Sequence, residues 1–250
     1  MALTPLVLMD ADIYLGSADL SGYSNKLEAA ATADPLEYTN FGSGGWKQRV
    51  GGEWDMTGSI EGFWQAGDLS QPDDLLQANL GVNTLPATFV PTLGGTVGDL
   101  AYLTKTLETR YDLSGQVGQL MAFAVDLQGN APLVRGRIMQ PMPTPRTTTG
   151  NGTGQQIGAV LATQRMWANL HVNAFSGTAS PTLTVKLQSN VDNTFSAPTD
   201  RVVFTAATGF TSQASSVLGA ITDQWWRVTW TITGTTPSFT FAVSAGIGPK

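Results

Sequence analysis

Hydrophobic and polar positions alternate through residues 53–64. Trp54, Met56, Gly58, Ile60, Gly62 and Trp64 fall on one face, and Glu53, Asp55, Thr57, Ser59 and Glu61 on the other. A period of two over that length predicts an antiparallel strand with one face on a core. Residues 101–111, 119–127 and 133–139 read as further strands, the last two joined by a turn at Gln128-Gly129-Asn130. The second half alternates more cleanly. Ala168, Leu170, Val172 and Ala174 share a face, as do Leu183, Val185 and Leu187. Trp226, Val228, Trp230 and Ile232 alternate with Trp225, Arg227, Thr229 and Thr231, and Phe239, Phe241, Val243 and Ala245 close the series. Short strands between Gly, Pro, Asn and Asp clusters predict a β-sandwich or jelly roll. One segment has helical character: Ser70 as cap, Pro72 in the first turn, Asp73 and Asp74 at the positive end of the dipole, Leu75, Leu76 and Leu80 as a stripe, and Gly81 as stop.

Two stretches lack periodicity. Residues 33–52 hold five glycines and predict a long loop that displays Phe41 and Trp46. Residues 140–156, QPMPTPRTTTGNGTGQQ, predict an extended and then flexible linker centred on 146–155. The expected organisation is therefore all-β, with a first domain over 1–145 and a C-terminal sandwich over 156–250. Charge breaks at the same place. Residues 1–149 carry 16 acids and 8 bases, whereas residues 150–250 carry 3 acids and 5 bases. An acidic front half argues against wrapping nucleic acid, which needs a basic stripe.

Turn and strand-end residues in the first half carry a family likeness. They are Asp19-Leu20-Ser21, then Thr39, Phe41 and Gly42, then Gly58 and Gly62, then Val117, Gly118, Leu120 and Phe123, and last Arg135 and Gly136. Over residues 1–145 this set resembles the tail tube subunits of long-tailed, siphovirus-like bacteriophages. The resemblance implies two packed sheets flanked by a helix, with a strand carrying Val117 to Phe123 paired to one ending at Arg135-Gly136. It also implies stacked sixfold rings that form a DNA conduit, and a loop at Phe41, Gly42 and Trp46 that reaches the next ring. Implied partners are further copies of the chain, a tape-measure protein and other tail proteins. The implied location is the virion tail, assembled in the host cytoplasm. DNA would pass without specific binding, along a lumen face for which Glu53, Asp55 and Glu61 are the candidates, with Arg135 and Arg137 as their partners in an interface. The C-terminal stretch resembles modules appended to phage virion proteins.

Chemistry finds no foothold in the residue pattern. No cysteine is present, so neither a disulfide nor a thiolate metal site is available. His171 is the single histidine; it shares a strand face with Trp167, Asn169 and Asn173, and is expected in solvent or an interface. Residues 42–47 lack phosphate-loop spacing, and Asp10 and Asp12 lack the rest of a calcium loop. No catalytic, metal or cofactor residue emerges, and the expectation is a non-enzyme. No stretch approaches 18 apolar residues, so no membrane span is expected. Trp167 and Trp225 fall on the polar faces of their strands and could stack on sugars. They carry the alternative: a head-decoration or tail-surface protein whose sandwich binds host glycans.

Overall fold

The computed structural model describes residues 8, 10–67, 71–92 and 95–250. The chain is all-β, and every ladder is antiparallel. The first half contributes β1 (Asp12–Leu15), β2 (Ala18–Asp19), β3 (Ser24–Glu37), β4 (Arg49–Phe63), β5 (Leu85–Val90), β6 (Leu100–Ser114), β7 (Ala122–Gly129) and β8 (Val134–Gln140), with helix α1 (Pro72–Asn79) between β4 and β5. Their order across the sheet is β3-β4-β7-β6-β5-β1-β2. Met56, Ile60, Phe123, Val125 and Leu127 bury against Ile13, Leu15, Leu20, Phe89 and Leu76 of α1. The helix starts at Pro72 with Gln71 as its N-cap, and Gly81 follows in the left-handed region at φ +82°. Ser70, the expected cap, lies outside the described residues.

Strands β7 and β8 do not pair with one another. Both lie along β6, β7 against residues 106–114 and β8 against residues 100–103. The expected turn at residues 128–130 is thus a break between two collinear strands. The expected strand start at Val117 and Leu120 is instead an exposed turn between β6 and β7. Asp19-Leu20-Ser21 also leaves its strand early. The Asp19 carboxylate accepts from both the backbone N–H and the hydroxyl of Ser21, and Ser21 Oγ accepts from Ile13 N.

The second half contributes β9 (Gly150–Asn151), β10 (Gln155–Gln156), β11 (Gln164–Asn190), β12 (Thr199–Val203), β13 (Thr211–Leu218) and β14 (Trp225–Pro249). Strands β11 and β14 form one ribbon, paired from Gln164↔Pro249 to Asn190↔Trp225. Their breakers, Gly177, Ala179, Ser180, Gly234 and Thr236, all at positive φ, fall where the register shifts. There the ribbon turns a corner without ending, as bulged strands do. The two limbs then close on each other over Met166, Leu170, Val172, Val185, Leu187, Trp226, Phe239 and Phe241. Burying each large side chain contributes about 1.5–3 kcal/mol. The short strands expected in this half are limbs of long ones, folded over one core.

Residues 146–155 do not hang free. Arg146 and Phe239 exchange backbone hydrogen bonds of 2.8 and 2.9 Å, and Gly152 N donates to Val228 O at 2.7 Å. β9 and β10 pair with β14, and Trp230 Nε1 donates to Thr148 O at 2.9 Å. The Pro/Thr/Gly composition that reads as a flexible tether here makes a strap across the sandwich. Immediately before it, β8 joins β14 through Gln140↔Val243 and Arg137↔Ala245, so the two halves share one sheet. A Cβ on Gly136 would lie 2.3 Å from Ala245 O, so glycine permits this crossing.

Candidate assembly surfaces

Three features stand out: an arm, an open charged face and a buried seam. Register from Lys26↔Glu61 to Glu37↔Arg49 makes β3 and β4 a long hairpin. β7 supports β4 only from Thr57 to Phe63. Beyond that the hairpin leaves the sheet as a two-stranded arm. The expected loop over residues 33–52 therefore has strand at both ends, 33–37 and 49–52, and shrinks to a turn over 38–48. It carries no periodicity because neither face of the arm is buried, and a register shift lies between Ala33 and Pro35. The tip is built rather than loose. Asn40 Oδ1 accepts from Gly42 N at 2.8 Å, Asn40 N donates to Ser43 Oγ at 3.0 Å, and Gln48 N donates to Thr39 Oγ1 at 3.0 Å. Gly44 and Gly45 complete the turn at φ +61° and +85°. On this frame Leu36, Tyr38, Phe41, Trp46, Val50 and Trp54 are exposed, Trp46 at 81%. An apolar cluster of that kind marks a contact surface.

Glu53 and Asp55 are exposed and Glu61 is half-buried, and none belongs to a core cluster. Trp54 does not reach the inner face with Met56 and Ile60, because the arm has already left the sheet; it is 78% exposed. Glu61 pairs with Lys26 across the hairpin at 2.5 Å, not with Arg135 or Arg137. Arg137 instead donates to Gly98 O at 2.7 Å. On the neighbouring strands Arg110 pairs with Asp112 and, at 3.1 Å, with Asp126. The open face is thus an interleaved charge lattice rather than a wall of acids.

Of the two places expected for His171, solvent or an interface, solvent is excluded: the residue is fully buried in the seam between the two halves of the chain. Its strand, β11, turns Met166, Ala168, Leu170 and Val172 into the sandwich, and Asn169 and His171 toward the first half. His171 Nδ1 lies 2.7 Å from Gly16 O and so carries the proton. Nε2 then accepts from Thr88 Oγ1 at 2.8 Å, and Thr88 lies 2.9 Å from Ser244 Oγ. Asn169 Nδ2 donates to Ala87 O and Thr104 O at 3.0 and 2.9 Å. Burial holds the imidazole down to about 4, so it is neutral. Polar residues alternating with apolar ones look identical whether the polar face meets water or a second layer. The signal available in sequence was that Asn169, His171 and Asn173 are amides and imidazole, not charges.

Trp167 and Trp225 are half-buried, and the Trp167 indole N–H donates to Pro249 O at 3.0 Å. A groove of about 890 Å³ lies between Trp54 and Asp55 of the arm, residues 129–133 and the C-terminal Gly248–Lys250. Its titratable residues are Asp55 and Lys250. Among the described residues no group of three or more His, Asp or Glu could hold a metal ion, and no helix is long and apolar enough to cross a membrane.

No protein-family model and no curated protein matches the chain. Nineteen chains of solved structures are similar, three of which follow. A chain in the virion of a native gene transfer agent particle superposes with a TM-score of 0.41 at 13% identity, covering 52% of this chain and 97% of that one. A chain in the tail of an empty gene transfer agent particle, with C6 symmetry, gives 0.38 at 15%, covering 49% and 93%. The Dit protein (gp 19.1) of SPP1, a hub adsorption apparatus protein of Gram-positive infecting phages, gives 0.35 at 10%, covering 95% and 99%. At these scores the likeness carries no functional weight, and function is read from the residues of this chain.

Proposed function

We propose that this protein is a structural subunit of a phage-type tail, assembling as rings that stack into a tube. The observation that carries the reading is the ordered arm with an apolar tip. A chain that spends a capped turn, two left-handed glycines and fifteen-residue β4 on displaying six large hydrophobic groups does so for a partner surface. Sixfold rings, a tape-measure partner, passage of DNA and location in a virion come with the sequence resemblance to tail tube subunits. On this reading Glu53, Asp55 and Glu61 line the channel; Glu61 is paired with Lys26, so Glu53 and Asp55 supply the weak repulsion that lets DNA phosphates slide. The glycan-binding alternative is less well supported, because Trp167 is turned toward Pro249 rather than presented as a flat platform.

Negative-stain microscopy of the purified protein tests the assignment. Rings and stacked rings are expected. Discrete monomers that associate with capsids, or that bind glycans, would replace the tail subunit with a decoration protein.

A further inference from the structure

The strap over residues 146–155 carries a reactive bond. Asn151-Gly152 is the single Asn-Gly pair in the chain, and no Asp-Gly pair is present. A glycine after asparagine leaves its amide nitrogen unshielded, since it has no Cβ. That nitrogen attacks Asn151 Cγ only after losing its proton, because the lone pair of an intact amide is delocalised into the peptide bond. A C–N bond then forms to close a cyclic imide, and the Cγ–NH2 bond breaks, releasing ammonia. Water opens the imide at either carbonyl and leaves aspartate or isoaspartate.

The Asn151 side chain is exposed to this reaction. The backbone is not. Gly152 N–H is committed to Val228 O at 2.7 Å, and β9 holds Asn151 extended opposite Thr229. The hydrogen bond retains the amide proton, and a paired strand keeps its nitrogen turned away from its own side chain. The strap is also seated closely. A Cβ would lie 2.8 Å from the Trp230 ring at Gly150 and 2.5 Å from the Phe195 ring at Gly154.

We propose that Asn151-Gly152 is a deamidation site gated by the strap: closed while β9 lies on β14, reactive when the strap lifts, and a bar to its return once isoaspartate has formed. Isoaspartate routes the main chain through the side-chain methylene and lengthens it by one bond, ~1.5 Å. Gly152 N then misses Val228 O, and the flanking glycines meet the two rings out of register. The inference does not depend on the tail-subunit reading.

Peptide mass spectrometry of the intact chain in mildly alkaline buffer, folded and unfolded in urea, tests the gate. The folded chain should deamidate at Asn151 at least about tenfold more slowly, since reaction waits on local opening. Thr149→Val deletes the hydroxyl that accepts from Ile232 N and should speed the folded-state reaction about fivefold. Trypsin tests the one-way step, because Arg146 is bridged to Phe239 while the strap is seated. Chains deamidated in urea and refolded should be cut after Arg146 faster than chains refolded after brief exposure. Asn151→Asp carries the new charge without the extra bond and should resist as wild type does. Equal deamidation rates in the folded and unfolded chain would overturn the gate. Isoaspartyl chains as resistant as the controls would overturn the one-way step, and so would rapid cutting of Asn151→Asp, by making charge the cause.

Discussion

At the scale of single residues, two buried titratable groups give opposite pH signatures. His171 is held down to about 4 by burial, against 6.5 when unfolded. Between those values the unfolded chain binds a proton that the folded one refuses. Its contribution is therefore complete above about pH 6.5 and is lost as pH falls toward 4, by up to ~3 kcal/mol. Denaturant titrations at pH 7 and pH 5 should show that loss, and His171→Gln should show a shallower one. Glu108 behaves inversely. It is buried on β6 with neither carboxyl oxygen hydrogen-bonded, and burial pushes it up to about 8 from 4.5. The folded state is favoured with the acid protonated, so stability is full below about pH 4.5 and falls as pH rises to 8. Glu108→Gln should remove that slope and leave the variant more stable than wild type at pH 8, by a few kcal/mol. Equal midpoints at pH 8 would show that the carboxyl is solvated.

At the scale of elements, the charged face offers a direct test of the channel assignment. Replacing Glu53, Asp55 and Glu61 with lysine should leave folding intact, because all three are outside the core. The change at Glu61 sets a second ammonium opposite Lys26, at a small like-charge cost. Assembled tubes of the variant should retain DNA and release it as salt is raised. Unchanged DNA affinity would put these acids on the outer wall, and failed assembly would put them in a subunit contact. Which elements the sequence disclosed follows from what each strand packs against. Trp226, Val228, Trp230 and Ile232 were legible because one side of their strand is core and the other is not. β3 was hidden by Ala29, Ala30 and Ala31 and by exposure on both sides, which leaves no alternation to read. The strap at 146–155 was hidden because its bonds are made by backbone, to which composition is blind. Charged residues on the β3-β4-β7-β6 face were visible as residues, but the ladder that pairs Lys26 with Glu61 across 35 positions was not.

At the scale of the whole molecule, the seam decides how the chain unfolds. Ending it at residue 147 would strip β14 from β8 and uncover Tyr14, Val90, Ala101 and Ile138, which bury with Ala242. It would also leave Thr88 without Ser244 and His171. Buried hydrogen-bonding groups that lose partners cost ~1–3 kcal/mol each. The full chain should therefore unfold in one transition by calorimetry, and the 1–147 fragment should be markedly less stable than the whole. Two separate transitions, with the first matching the isolated fragment, would show instead that the halves fold independently.

One consequence of the arm concerns mechanics. Its apolar tip and its seat in the sheet lie at the two ends of the same strand, and β4 is extended over its fifteen residues. A strand near its contour limit of ~3.3 Å per residue has almost no slack to give. Tension applied through the tip would run down the backbone of β4 and load its ladder to β7 in shear, where many hydrogen bonds resist together. Bending needs only rotation at the tip contacts. An arm built this way would be nearly inextensible along its length yet pliant where its tip makes contact.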